Sequence, residues 1–202
     1  MPKREQLLQE LRVEDDLGVL LMAQMDGVPD TVQVMVTSTK FDAESNGLRE
    51  INHYVIRCIG VREHQISVGM FNSIRFLDTH PLLHQYNEDA VGVMFRGKVD
   101  NPNELILDIF QAYASTFGAW RHIPDYLNMA EPLIDLVSSG GGLLGQMPMS
   151  LATRMKKVLE HHKLETNLVE AKQDTPPVKV LLMDESYVVA MDFTVEELVQ
   201  KR

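Results

Sequence analysis

Gly140, Gly142 and Gly145 spell G-x-G-x-x-G, and no other stretch of the chain comes nearer to a cofactor-binding signature. In a dinucleotide fold that spacing works because a strand delivers a tight glycine turn into a helix whose N-terminus meets a pyrophosphate. Here the context differs. Residues 132–138, ahead of the glycines, have helical period, and Pro148 interrupts the approach to the next helix. The region about 20 residues further on, where a strand should end in an acidic residue, is charged and irregular. No Gly-Lys-Ser/Thr follows either, so the tract is not a P-loop. It reads as a mobile loop between helices, with Met147 and Met149 flanking Pro148 as adaptable apolar side chains. Gly140, Gly142, Gly145, Met147 and Met149 are thus a candidate interaction loop, and no cofactor is expected.

His80 and His84 are four apart, the helical spacing of a metal pair. No glutamate follows His80 as in the zinc-protease motif and no third ligand is fixed by spacing, so the two are weak metal candidates and no metal is assigned. A different chemistry belongs to the arginines. Arg57 and Arg96 fall in strand-like segments, where an unpaired guanidinium among apolar side chains is costly. Each must therefore meet a structural carboxylate or point into a pocket for an anion. Trp120, Arg121 and His122 follow directly on the best helix, and Trp with Arg is a pairing common at binding hot spots. Arg57, Arg96, Trp120, Arg121 and His122 are the candidate ligand contacts. Cys58 lies in the apolar run Val55 to Val61 and reads as a buried, inert thiol. No G-x-S-x-G elbow and no matched pair of carboxylates marks a catalytic centre.

Composition excludes some classes. The chain has 202 residues, 45% of them hydrophobic, with a formal net charge of −10. That field repels phosphate backbones, so nucleic-acid binding is not expected. No window reaches the ~18 apolar residues of a membrane span. The first residues carry Lys3 and Arg4 but no apolar run behind them, unlike a secretory leader. A lone cysteine cannot form an internal disulfide, which favours a reducing, cytoplasmic setting.

The elements that must position these residues follow from periodicity. Leu7, Leu8 and Leu11 share one helical face. Residues 17–25 are too short to type. Val32, Val34 and Val36 alternate with Gln33, Met35, Thr37 and Thr39, a strand with one solvated face. After a turn at 44–47 a second strand over 52–62 returns as a hairpin. Further strands are expected near 65–71 and 90–96. Asn101-Pro102-Asn103-Glu104 caps the strongest helix, over 102–117, whose stripe includes Leu105, Ile109, Phe110, Tyr113, Ala114 and Phe117. Two shorter helices follow Pro132 and Pro148, and 164–177 reads as a loop or tether. Val178 to Met183 and Tyr187 to Phe193 form a terminal hairpin, after which Thr194-Val195-Glu196-Glu197 resembles the capping box of a final short helix.

The sum is one α+β domain over 1–202: a mainly antiparallel sheet of about five to six strands, helices on one face, a terminal hairpin and a C-terminal helix. The functional expectation is a non-catalytic interaction or accessory module that works as a homo-oligomer or with a protein partner. The alternative is a protein or enzyme that binds a small anionic ligand in a pocket between the sheet and helix 102–117.

Overall fold

The computed structural model describes residues 3–12, 16–42, 44, 46–172 and 174–198. The chain opens with α1 (Lys3–Glu10) and strands β1 (Asp16–Met25), β2 (Thr31–Asp42), β3 (Gly47–Ile59), β4 (Glu63–Gln65), β5 (Gly69–Phe71) and β6 (Ile74–Leu77). Then come α2 (His84–Asn87), β7 (Ala90–Arg96), α3 (Pro102–Phe117), α4 (Leu133–Ser138), β8 (Gly141–Pro148), α5 (Met149–His161) and β9 (Glu165–Ala171). Strands β10 (Lys179–Met183), β11 (Ser186–Ala190) and β12 (Asp192–Glu197) complete it. The chain divides into two compact units. One holds the chain up to Thr79 and from Pro177 onward; the other runs from His80 to Pro176.

The first unit pairs β12-β3-β2-β1-β5 in one sheet and β4-β11-β10-β6 in another, with every ladder antiparallel. Their shared core holds Val32, Val34, Val36, Tyr54, Ile56 and Cys58 from the larger sheet and Leu181, Met183, Val188 and Ala190 from the smaller. The alternation along β2 therefore orients it as expected. Thr37 and Thr39 are nevertheless buried on the side that periodicity leaves to solvent. Their hydroxyls find partners there: Thr37 Oγ1 lies 2.7 Å from His53 Nδ1, and Thr39 Oγ1 donates to the Leu17 carbonyl at 2.9 Å. Leu7 of α1 enters the core, and Glu10 tethers the helix by accepting from Ser38 Oγ (2.6 Å) and Asn52 Nδ2 (2.8 Å).

The second unit is a three-stranded antiparallel sheet, β8-β7-β9, with α5 packed across it and α3 against α5. Asn101 caps α3 through the Glu104 N–H, and Gly118, at φ 57°, ends it. Val91, Val93, Leu105, Ile109, Tyr113, Phe117, Leu151 and Met155 make the core. Phe110 and Ala114, expected on the buried stripe, are exposed.

Four expectations are corrected. The described residues hold twelve strands in three sheets and five helices, not five to six strands in one. The segment after the hairpin is β12, because Asp192 to Glu197 ladders onto Ile59 to Tyr54 of β3 and Phe193 enters the core; that pairing outweighs a four-residue capping signature. The glycine tract is not a mobile loop: Gly141–Pro148 is strand β8, laddered onto β7. Much of the supposed tether over 164–177 is likewise strand β9. The untyped stretch 17–25 lies within β1. No helix among the described residues is long and apolar enough to cross a membrane.

Candidate functional site

The glycines of this tract serve the turn into β8 and its packing. Gly140, at φ 91°, turns the chain out of α4, and its carbonyl accepts the Gly97 N–H. A Cβ on Gly145 would sit 2.0 Å from the Tyr126 carbonyl oxygen, so only glycine lets the Tyr126–Asn128 strap cross there. The strap bridges Leu127 to Gly145, and the Asn128 N–H donates to the Leu144 carbonyl. Met147 is buried in the second unit's core and Met149 packs against it.

His80 and His84 are both engaged in this unit. His80 Nδ1 accepts the Leu82 N–H, and its ring meets Trp120 edge-on at 4.9 Å. His84 Nδ1 lies 2.5 Å from Glu88 Oε1, and the other Glu88 oxygen accepts the Ser150 N–H in the first turn of α5. No group of three His, Cys, Asp or Glu among the described residues is placed to hold a metal ion. Trp120 is thus brought onto His80, while Arg121 donates to the Leu82 carbonyl at 3.2 Å. His122 stays exposed, its N–H donating to Asp125 Oδ2. Arg57 belongs to the first unit and faces carboxylates, 3.4 Å from Asp26 and 3.9 Å from Glu196.

Arg96 differs. It is exposed at the end of β7, beside an open cavity of about 650 Å³ lined by Gly140, Gly141, Glu165 and Thr166. The side of α3 expected to border a pocket carries Leu105, Ile109, Tyr113 and Phe117, all buried in the core of this unit.

Burial is the largest influence on the Cys58 thiol and on the Tyr54 and Tyr113 phenols, and raises all three. It pushes the Cys58 thiol up to about 12, which leaves it protonated and unreactive. For Glu10, burial by itself raises the carboxyl pKa, but the polar side chains around it, Ser38 ahead of Tyr54, Gln6 and Asn52, outweigh it and leave the value lowered. At Asp184, burial is likewise outweighed, by the N–H groups of Asn72 and Ser73 and by their side chains.

A feature that periodicity did not single out is the outer face of the larger sheet. With Val32, Val34 and Val36 turned to the core, Met35 and Thr37 point away from it. Register extends the row across the strands. Met35 lies opposite Met22 on β1 and Val55 on β3, Thr37 lies opposite Val19 and His53, and Val19 lies opposite Met70 on β5. Met22 is 39% exposed and Met70 68%, and Val68, just ahead of β5, is as bare as Met70. At the hairpin end Phe41 and Leu48 face each other, both exposed. The strand alternation was readable; which sheet face would stay uncovered was not.

Comparison with known proteins returns no matching family model, no matching curated protein and no matching solved structure.

Proposed function

We propose that this chain is a non-catalytic interaction module that self-associates and that receives a protein partner on the outer face of its five-stranded sheet. One observation carries the reading: an apolar row that register draws across the strands from Met70 through Val19, Met22 and Met35 to Val55, with Met22 and Met70 exposed and the other three half-buried. Contiguous apolar patches of this kind mark contact sites on folded proteins. Methionines suit such a site because their side chains repack around different partners. Two tests apply. Light scattering on the full chain should give a mass that is a multiple of 22.9 kDa; a monomer throughout the micromolar range removes self-association. A photoreactive residue replacing Met70 in the native cells should give a discrete covalent adduct that the same residue at Glu185 does not. Equal patterns at both positions remove the docking face.

A second reading rests on Arg96. Its guanidinium borders an open cavity and makes no ion pair among the described residues, as an anion contact would. Calorimetric titration with inorganic phosphate should show binding that Arg96→Ala abolishes; no heat with the parent chain ends this reading.

A further inference from the structure

We propose that two copies of the chain join through strand β9, edge to edge and antiparallel, building a six-stranded sheet of order β8-β7-β9-β9-β7-β8. The inference rests on the self-association reading above and names its surface.

An edge strand offers a row of unpaired N–H and C=O groups, and folded chains shorten, cover or interrupt such edges. The other strands that end a sheet fit that rule, although β1 beyond Leu20 and β3 before His53 also run without a second neighbour. β4 and β5 are three residues long and β6 is four. β8 is crossed by the Leu127–Asn128 strap and ends in Pro148. β12 has α1 against it, with Lys3 paired to Glu197. β9 alone is long and bare among these. Its seven residues all ladder onto β7, from Glu165 opposite Arg96 to Ala171 opposite Ala90. No described backbone group beyond that ladder bonds to it, and it contains neither proline nor glycine. Glu165, Asn167, Val169, Glu170 and Ala171 are exposed.

The sequence of β9 is compatible with itself. Pairing about Leu168 sets Glu165 opposite Ala171 of the second copy, Thr166 opposite Glu170 and Asn167 opposite Val169. No carboxylate then faces another. Glu170 meets the Thr166 hydroxyl, which is buried without a partner in the single chain. Lys172, one residue beyond the strand, comes beside Glu165 of the second copy. A one-residue slip that sets Glu165 opposite Glu170 opposes like charges and also turns the two cores to opposite faces of the sheet. In the favoured register both cores lie on one side. On the other side the exposed Met94, Leu143 and Val169 form an apolar band that continues from copy to copy.

The test uses two double variants of the full chain at exposed positions. Asn167→Lys with Val169→Lys places lysine opposite lysine twice across the junction. Asn167→Lys with Val169→Glu places lysine opposite glutamate twice. Sedimentation velocity should find a dimer for the parent chain, at least a tenfold weaker one for the lysine pair, and a parent-like or tighter one for the lysine–glutamate variant. A parent dimer that both variants leave unchanged overturns the β9 junction while self-association stands. Equal weakening by both variants overturns the register. A parent chain that stays monomeric overturns the junction and the self-association reading together.

Discussion

Replacing Glu10 by alanine should detach α1 from the sheet, and the cost can be worked from its contacts. The carboxylate accepts from Ser38 Oγ at 2.6 Å and from Asn52 Nδ2 at 2.8 Å, and both lengths suit an ionised acceptor. Bonds to a charged group contribute about 1.5–3 kcal/mol each. Glu10 keeps partial contact with water, so the lower end applies, and the two together give about 3 kcal/mol. The longer bond from Gln6, 3.1 Å and within the same helix, adds little. Ser38, fully buried, keeps a weak alternative in the Asn52 carbonyl at 3.4 Å, so no full orphan penalty is added. Alanine favours helix, so α1 loses no intrinsic propensity. For cooperative unfolding of a chain this long, about 3 kcal/mol lowers Tm by roughly 6–12 °C. The pH dependence follows from the lowered carboxyl pKa. A folded-state value below the usual 4.5 contributes stability that is complete above the unfolded pKa and disappears as pH falls through the folded one. The gap between parent and Glu10→Ala should therefore be full at pH 7 and shrink as pH falls below about 4.5. Urea unfolding followed by circular dichroism at pH 7 and in acid measures it. A loss under about 1 kcal/mol at pH 7, or a gap that does not narrow in acid, would refute the account of Glu10 as a charged tether.

Three more outcomes follow from packing and titration. Asp184 sits at φ 51° in the β10–β11 turn and accepts from both N–H groups and both side chains of Asn72 and Ser73. Asp184→Ala should cost about 2 kcal/mol and Asp184→Asn about half, because asparagine tolerates the left-handed turn and keeps one acceptor oxygen; equal losses in denaturant titrations would contradict this. Gly145→Ala should displace the Tyr126 strap, costing about 3 kcal/mol or more, and open the 124–130 stretch to limited proteolysis; unchanged cleavage would show that the strap can give way. Cys58, with its thiol pushed up to about 12, should react with a disulfide reagent at pH 8 only at the rate of unfolding, and rapid modification of the native chain would mean that the core around it opens.

Local rules in the sequence settled the elements whose signals are local. Valines at alternate positions assigned β2 and its buried face, because a two-residue period admits only one way of turning them to a core. Asn101, Pro102 and Gly118 bounded α3, because capping and the left-handed stop act within a few residues. Cys58 was legible as core from the apolar run around it. The context that disqualified the glycines as a nucleotide fingerprint was legible too, but their use as a strand crossed closely by a strap was not, since it depends on Tyr126 arriving from elsewhere. Thr194 to Glu197 shows the same limit from the other side: a helix-start signature became strand because β3 offered a full ladder. Only tertiary structure divided the strands among three sheets, gave Arg57 its two carboxylates and left Arg96 facing a cavity. It alone decided that the methionine face of β1, β2 and β5 stays uncovered and that β9 ends its sheet without protection. Which face is covered and which edge is paired depends on contacts between residues far apart in the chain, and no local period records those.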